Sequence, residues 1–334
     1  MGEFVQPLTD PSLTGLSKIL DPAALALHLR GVCVGRWNGG TNEQVRCVRV
    51  LRHHVRHRCT LEIGLRAENG GQSLIGKVYA TDRFDIFEAM ERIRKAGFGP
   101  EYEYSIPQPL AYLSSLGCLV QEKVEGPVAK EILRTGDEQS RAAVAERCAR
   151  WLARFHALGP KAGPVSYSHD HLKSKSMRRC SRKVAKSGGL AVKAARLLQR
   201  LEDAVSSLSP AEMCAGHGSY TAGHVILAQG RTVVIDWDWH GMADPARDVG
   251  RFLYALRRWA LQQLGSIRAL DGVAEVFLKT YLAAGQPEVE RNLRFFEAAA
   301  CLKAGTRVKD EAPRQLAEAM LDEGLRVLAR EATP

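Results

Sequence analysis

The spacing of apolar residues early in the chain limits the fold more strongly than any other feature. Apolar side chains alternate with other residues in VRCVRVL (45–51) and RCTLEIGLRA (58–67), and a third apolar segment follows, SLIGKVYA (73–80). A period of two is typical of β-strands that bury one face, because successive side chains point to opposite sides. The segment ENGGQ (68–72) is a turn signal before the third strand. Three strands joined by short turns predict an antiparallel meander.

One helix and two shorter strands follow the meander. The segment RFDIFEAMERIRKAG (83–97) has helical periodicity and is predicted to end at its glycine. PLAYLSS (109–115) and CLVQEKV (118–124) are predicted strands. Ahead of the meander, DPAALALHLR (21–30) opens with an aspartate cap and a proline, which is the pattern of a helix start.

Gly126 and Pro127 interrupt the chain after the fifth strand and mark a predicted domain boundary. Residues 1–125 are expected to form an N-terminal lobe of N-terminal helices, an antiparallel sheet and one further helix. Residues 126–334 are expected to form a mainly helical C-terminal lobe. Its predicted elements are helices at 139–159, 190–205 and 245–264, a hairpin at 224–236, and further helix to about residue 330. The sequence therefore predicts a two-lobed α+β protein.

The charge balance limits the partners. The chain has 47 Lys and Arg against 37 Asp and Glu, a formal net charge of +10. A basic surface favours phosphates, nucleic acid or anionic lipid and disfavours polycationic substrates. No apolar run approaches the roughly 20 residues that span a bilayer, and the N-terminus lacks a secretory signal pattern. We therefore expect a cytoplasmic protein without a membrane partner.

The eight cysteines are scattered along the chain, and none forms a CxxC pair. Cysteines with this distribution are most often small buried hydrophobic residues, so we expect no zinc site.

The segment with the clearest chemical signal is AGHGSYTAGHVILAQGRTVVIDWDWHGMADPARD (215–248). A loop containing His217 leads into a short strand, a turn, and an apolar strand that ends on Asp236. Three more aspartates follow closely: Asp238, Asp244 and Asp248. An acidic cluster after an apolar strand is a candidate site for a divalent metal, since Mg²⁺ prefers carboxylate oxygens.

This segment resembles the catalytic region of the aminoglycoside phosphotransferase and choline kinase families, which have a two-lobed, protein-kinase-like fold. Their pattern is His-Gly-Asp, four residues, Asn, an apolar strand ending in Ile-Asp, then Asp-Pro and a further Asp. His217 and Gly218 match the start of this pattern. The resemblance places Asp236 on the magnesium-binding aspartate, and Asp244 and Asp248 on the structural aspartates.

Upstream segments extend the resemblance from about residue 45 to about residue 300. LIGKVY places Lys77 on the phosphate-binding lysine, and the following helix offers Glu88, or less favourably Glu91, as its ion partner. CLVQEKVEG resembles the hinge strand that contacts adenine, which implicates Glu122 and Val124. WLARFHALG resembles the helix that precedes the catalytic loop. The resemblance implies ATP bound between the lobes together with Mg²⁺.

Three departures from the family pattern change the expected chemistry. Ser219 stands where the catalytic aspartate would accept the proton of the acceptor hydroxyl. His224 stands where an asparagine would help to hold the metal, and histidine suits softer metals than Mg²⁺, so Mn²⁺ is an alternative. The turn RHHVRHRC (52–59) replaces the glycine-rich phosphate loop, and its Arg56 and Arg58 are candidates to bind phosphate by charge.

The missing base leaves several interpretations open. Asp238 lies two residues beyond Asp236, so in an extended segment the two would share a face and Asp238, or a water molecule, could replace the base. Ser219 would then lie near the nucleophile. His224 has a second interpretation as a hydrogen-bonded residue at the start of a half-buried strand. The basic segment 173–186 is either a solvated loop, a clamp for an anionic substrate or a nucleic-acid contact; it has no aromatic residue for base stacking, which makes nucleic acid the weaker option.

The first functional hypothesis is an ATP-dependent phosphotransferase that acts on a hydroxyl group of a neutral or anionic small metabolite. The alternative is a catalytically inactive pseudokinase that binds nucleotide or acts as a scaffold, which the serine at position 219 favours. Transfer of a nucleotidyl group is a third option that no residue selects.

Overall fold

The computed structural model describes residues 8–30, 44–67, 70–165, 188–285, 287–305 and 311–329. The predicted basic segment 173–186 lies outside these residues. The chain divides into two compact units, Met1–Glu125 and Gly126–Pro334. An antiparallel sheet dominates the first unit and helices dominate the second, which confirms the predicted α+β fold class.

The N-terminal unit contains a five-stranded antiparallel sheet. The strands of this unit are β1 (Gln44–His54), β2 (Arg58–Ala67), β3 (Gly70–Tyr79), β4 (Tyr104–Ser105), β5 (Pro109–Leu113) and β6 (Cys118–Glu122). The order across the sheet is β1-β2-β3-β6-β5. The five predicted strands are therefore all present, whereas the two-residue β4 was not predicted.

The sheet buries the face that the alternation predicted. Leu61, Ile63 and Leu65 of β2 are buried, and they lie in one apolar cluster with Leu74 and Val78 of β3. Burying each side chain of this size contributes roughly 1.5–3 kcal/mol relative to leaving it in water. Because side chains alternate along a strand, the odd-numbered residues of β3 project from the opposite face.

The turn between β1 and β2 is shorter than predicted. The strands extend to His54 and resume at Arg58, so the turn contains three residues and not the whole of 52–59. Arg56 has a left-handed backbone with φ 62°, and its N–H donates to Asp10 Oδ2 at 2.8 Å. The same carboxylate oxygen lies 2.9 Å from His53 Nε2. An aspartate from the N-terminal segment thus holds the tip of this hairpin.

The described residues of the N-terminal unit include the helices α1 (Leu16–Leu20), α2 (Pro22–Leu29) and α3 (Phe84–Ile93). The Asp21 side chain accepts a hydrogen bond from the N–H of Ala23 at 2.9 Å and caps α2 as predicted. Helix α3 buries one face through residues at helical spacing, Ile86, Ala89, Met90 and Ile93. One further turn of π-helix leads to Gly97, whose φ of 95° ends the helical backbone.

The C-terminal unit is mainly helical. Its helices are α4 (Ala129–Thr135), α5 (Glu138–Leu158), α6 (Ala191–Val205), α7 (Ala246–Leu264), α8 (Asp271–Ala283), α9 (Glu290–Gly305) and α10 (Glu311–Ala329). Its short strands are β7 (Cys214–Gly216), β8 (Val225–Ala228), β9 (Arg231–Val234) and β10 (Gly241–Ala243). β8 and β9 form the predicted hairpin, while the antiparallel pair of β7 and β10 was not predicted. Within the described parts of the chain, no helix combines the length and the apolar character needed to cross a membrane.

A buried aromatic stack supports the loop that follows β7. Trp151 of α5 lies 5.9 Å from Tyr220 and 5.9 Å from Trp237 between ring centroids. The ring of His217 is 4.7 Å from that of Trp237. All four residues are buried, so the predicted catalytic loop rests on a packed core.

Candidate active site

One carboxylate fixes the backbone of the loop His217–Ser219. Asp248 lies in the first turn of α7, where the helix dipole favours a negative charge. Its Oδ2 accepts the N–H of His217 at 2.6 Å, and its Oδ1 accepts the N–H of Gly218 at 2.8 Å. The predicted structural role of Asp248 therefore has a direct geometric basis: both oxygens of one side chain hold two successive amides.

Two further residues, His156 and Tyr281, hold the Asp248 carboxylate in place. His156 at the end of α5 has its Nε2 3.5 Å from Asp248 Oδ2, and the hydroxyl oxygen of Tyr281 of α8 lies 2.7 Å from His156 Nδ1. Burial alone would raise the pKa of Asp248, but the hydrogen bond and the charge of His156 outweigh it and lower that pKa to about 2. The carboxylate is thus ionised at neutral pH although it is buried.

The imidazole of His217 links the loop to the strand that ends at Asp236. His217 Nε2 donates to the carbonyl oxygen of Ile235 at 3.0 Å. Its Nδ1 therefore carries the lone pair and accepts from Ser219, whose Oγ lies at 3.2 Å and whose backbone N lies at 3.3 Å. Burial, and then the proximity of His224, lower the pKa of His217 to about 4. At pH 7 the ring is neutral and keeps this arrangement.

Gly218 is required by its surroundings as well as by its backbone angle. Its φ is 78°, in the left-handed region where a side chain is strained. A Cβ at this position would overlap the carbonyl oxygen of Trp239. The His-Gly-Ser loop therefore lies directly against the short 3₁₀ turn Trp237–Trp239 that follows Asp236.

The two residues predicted to bind a metal lie close together. Asp236 follows β9 with φ 71°, a left-handed conformation that is uncommon outside glycine and that occurs preferentially at functional sites. His224 Nδ1 donates to the carbonyl oxygen of Ser219 at 2.9 Å, and His224 Nε2 is 3.6 Å from Asp236 Oδ2. A lone pair on Nε2 and a carboxylate oxygen at this distance favour a positive charge between them, either a proton or a metal cation.

Asp236 and His224 could supply some, but not all, of the ligands of a metal ion. No group of three or more His, Cys, Asp or Glu side chains in the described part of the chain is arranged to hold a metal ion. Mg²⁺ commonly binds one or two carboxylates and takes its other ligands from substrate phosphates and water. Asp236 with His224 matches that kind of incomplete set, in which the imidazole nitrogen suits softer metals better than Mg²⁺.

Asp238 does not lie in an extended segment with Asp236, contrary to the prediction. The backbone after Asp236 is not extended, because residues 237–239 form a 3₁₀ turn and Asp236 itself is left-handed. Successive residues in such a turn are rotated by about a third of a circle, so Asp238 does not share the face of Asp236 as it would in a strand. Asp238 is half-buried, and a role as base remains a prediction without that support.

Lys77 has the burial expected of a functional lysine. It is 7% exposed in β3, on the sheet face opposite to Leu74 and Val78. Lysine is almost never this buried without a partner for its charge. Glu88, the favoured partner in sequence, lies exposed on α3, whereas the side chain of Glu91 is 14% exposed. Glu91 also accepts a hydrogen bond from Arg94 Nε at 3.3 Å, and the pairing of Lys77 with either glutamate remains a prediction.

The remaining predicted nucleotide contacts occupy two places in the N-terminal unit. Glu122 ends β6, and its Oε2 accepts the N–H of Gln108 at 2.9 Å. Val124 lies two residues further on, in irregular backbone outside the sheet ladder. Arg56 is exposed in the hairpin turn, and Arg58 is half-buried at the start of β2. Their roles toward adenine and phosphate remain predictions.

Sequence reasoning missed the residues that support the site over long chain separations. Tyr281 reaches His156 across 125 positions, and Asn292 Nδ2 donates to Asp244 Oδ2 at 2.7 Å across 48 positions. Trp239 was also missed, although it is 67% exposed beside Gly218. A local pattern cannot find such contacts, because Tyr281 and Asn292 lie far along the chain from the segments that they support.

Three solved structures illustrate the similarity of the fold. A proposed aminoglycoside phosphotransferase from Ralstonia eutropha is 17% identical, covers 92% of this chain and 98% of its own, and has a TM-score of 0.61. A thermostable mutant of aminoglycoside phosphotransferase APH(4)-Ia, in ternary complex with ADP and hygromycin B, is 16% identical over 86% and 96% of the two chains, with a TM-score of 0.61. A choline/ethanolamine kinase family protein from Mesorhizobium loti is 17% identical over 80% and 85%, with a TM-score of 0.53.

These identities are low, so the structural matches show the fold alone. A comparison of the sequence with curated proteins found no match. The family comparison is more specific, because it matches residues 69–296, more than half of the chain. This chain belongs to the phosphotransferase enzyme family.

Proposed function

We propose that the protein transfers a phosphoryl group from ATP to a hydroxyl group of a neutral or anionic small molecule. The observation that carries this proposal is the cluster in the C-terminal unit, where Asp248 holds the loop 217–219 and His224 joins that loop to Asp236. Family membership and the buried Lys77 support it. A cytoplasmic location, where ATP is abundant, belongs to the same proposal.

Each residue of the proposed site has a role in the chemistry. Lys77 would bind the nucleotide phosphates by charge, with Glu91 or Glu88 as its partner. Asp236 and His224 would hold Mg²⁺ or Mn²⁺, which neutralises the charge that develops on the phosphate oxygens. Asp248 keeps the loop amides of His217 and Gly218 in place, so the loop does not need to reorganise during the reaction.

The reaction is expected to be slow. A serine at position 219 has no charge and cannot act as the base that the family pattern supplies. Much of the acceleration in phosphoryl transfer comes from positioning and from charge neutralisation, which the remaining residues would still provide. The proton of the acceptor hydroxyl would leave to water or to Asp238.

The net charge of +10 favours a neutral or anionic acceptor over the polycationic aminoglycosides that name part of the family. The ADP and hygromycin B in the APH(4)-Ia complex are the ligands of that protein. They support nucleotide binding here more strongly than they support any particular acceptor.

A second function is favoured by one observation. Ser219 removes the carboxylate from the loop His217–His224, which contains no other acidic residue. An inactive protein that still binds nucleotide is expected to lack the catalytic carboxylate but to keep Lys77 and Asp236. This pseudokinase would have a binding or scaffold role.

Thermal denaturation in the presence of nucleotide tests nucleotide binding, which both proposed functions require. ATP with Mg²⁺ or Mn²⁺ is expected to stabilise the wild type, by about 3 kcal/mol at roughly 100 times the dissociation constant. Lys77→Met and Asp236→Asn are expected to lose most of this stabilisation. Lys95→Met and Asp203→Asn, at exposed positions, are matched controls that should keep it. No stabilisation of the wild type with either metal would contradict both functions.

The variant Ser219→Asp separates the enzyme from the inactive protein. It restores the residue of the family pattern in a loop whose amides are already held by Asp248. In an enzyme that lacks only its base, ADP release with a panel of small hydroxyl compounds should rise by roughly 100-fold or more. Nucleotide binding without turnover in both the wild type and this variant would favour the pseudokinase.

A further inference from the structure

The hydroxyl group of Ser219 has the surroundings of a nucleophile. An activated nucleophile lies within hydrogen-bond reach of a base, and a third group orients that base. Here Ser219 Oγ lies 3.2 Å from His217 Nδ1, and the carbonyl oxygen of Ile235 accepts from Nε2 at 3.0 Å. The carbonyl forces the proton of the imidazole onto Nε2, so Nδ1 can only accept from the serine.

The position of this hydroxyl is fixed by the rest of the loop. Asp248 holds the two preceding amides, and Gly218 in its left-handed conformation lies against Trp239. Ser219 is half-buried, and its Oγ lies within hydrogen-bond distance of the imidazole. The segment 217–219 therefore holds one hydroxyl group in a fixed position.

The same serine is connected to the proposed metal-binding residues. Its carbonyl oxygen accepts from His224 Nδ1 at 2.9 Å, and His224 Nε2 lies 3.6 Å from Asp236 Oδ2. A nucleotide whose phosphates and metal are held at Asp236 would have its terminal phosphate in the neighbourhood of this loop. No carboxylate in the loop is present to orient an external hydroxyl, whereas the serine is already positioned.

We propose that Ser219 itself accepts the phosphoryl group, so that the chain phosphorylates its own catalytic loop. This inference rests on the proposed function, since it needs bound ATP. In the step, a bond forms between Ser219 Oγ and the terminal phosphorus, and the bond from that phosphorus to the bridging oxygen breaks. ADP leaves with the bonding electrons, and the hydroxyl proton passes to His217 Nδ1. The products are phosphoserine and ADP.

The mass of the intact protein after incubation with ATP and Mg²⁺ or Mn²⁺ tests this activity directly. The wild type is expected to gain the mass of one phosphoryl group, and peptide mapping is expected to place it on residue 219. Ser219→Ala should gain none. Ser207→Ala, at an exposed serine after α6, is the matched control and should be modified like the wild type. The rate per chain should not depend on protein concentration, because donor and acceptor belong to one molecule.

The outcomes separate this inference from the proposed function. Thermal stabilisation by ATP in both the wild type and Ser219→Ala, with no gain in mass, overturns self-phosphorylation and leaves nucleotide binding intact. Absence of stabilisation in the wild type overturns both. A phosphoryl group on another residue, the mass of a nucleotidyl group, or a rate that rises in proportion to protein concentration also overturns the inference.

Discussion

Replacing Asp248 by alanine tests whether the catalytic loop depends on one carboxylate. The side chain is buried, and it accepts hydrogen bonds from the amides of His217 and Gly218 at 2.6 and 2.8 Å. Alanine removes both acceptors from a buried position. The variant therefore leaves one buried and one partly buried N–H donor without its partner.

The expected loss in the free energy of unfolding follows from those two N–H donors. A buried polar group that loses its partner costs roughly 1–3 kcal/mol, so the two amides together predict a loss of roughly 2–6 kcal/mol in the free energy of unfolding. Asp248→Asn keeps one acceptor oxygen and is expected to lose about half as much. Asp203→Ala, at an exposed position on α6, is the control and should change stability by about 0.5 kcal/mol or less.

Urea unfolding followed by tryptophan fluorescence measures the global effect, because Trp151 and Trp237 are buried in the same unit. Hydrogen exchange of the amides of His217 and Gly218 measures the local effect. Both amides should exchange much faster in Asp248→Ala than in the wild type. A variant within about 0.5 kcal/mol of the wild type, with unchanged protection of these amides, would refute the reasoning.

The same carboxylate predicts a pH dependence with a definite sign. The pKa of Asp248 is lowered from 3.8 to about 2 in the folded state. A lowered pKa means that the unfolded chain binds the proton more readily, so the stabilisation is complete above about pH 4 and is lost as the pH falls toward 2. The shift corresponds to about 2 kcal/mol. The pH titration of unfolding free energy should therefore be flatter over this range in Asp248→Asn than in the wild type.

Two further substitutions test the supports of the loop. In Gly218→Ala, the new side chain strains a left-handed backbone, which costs roughly 1–3 kcal/mol, and also overlaps Trp239. Gly230 has a similar φ but no atom near the position of a Cβ, so Gly230→Ala is the control for the backbone strain alone. We expect a clearly larger drop in melting temperature for Gly218→Ala, together with loss of stabilisation by ATP; equal drops in the two variants would contradict the overlap. Asn292→Ala removes the amide that donates to buried Asp244 at 2.7 Å, and denaturant unfolding should show a loss of roughly 1.5–3 kcal/mol, with no measurable change contradicting this role.

Local residue patterns were sufficient for the elements themselves. Alternation in RCTLEIGLRA and helical spacing in RFDIFEAMERIRKAG predicted β2 and α3 to within a few residues. The order of matched segments around His217 and Asp236 predicted the kinase-like fold class. The predictions of the elements succeeded because each depends on residues within one short segment, where periodicity and turn signals act. The prediction of the fold class used the order of several such segments along the chain.

The arrangement of the site depended on contacts between distant segments. Which face of α3 is exposed depends on what that helix packs against, so the sequence alone did not show that Glu88 is exposed and that Glu91 is largely buried. The sequence pattern predicted an extended backbone after Asp236. The structure has a 3₁₀ turn there, and Trp239 of that turn packs against Gly218.

The sequence by itself determined which chemical groups the catalytic loop contains, including a serine in place of the expected carboxylate. Only the tertiary structure decided that the serine hydroxyl faces His217 Nδ1, that Asp248 holds the loop, and that His224 approaches Asp236. The physical reason is that a hydrogen bond depends on the distance and direction between two groups. Those quantities are set by how α5, α7 and the β8–β9 hairpin pack together, not by the residues on either side of each group.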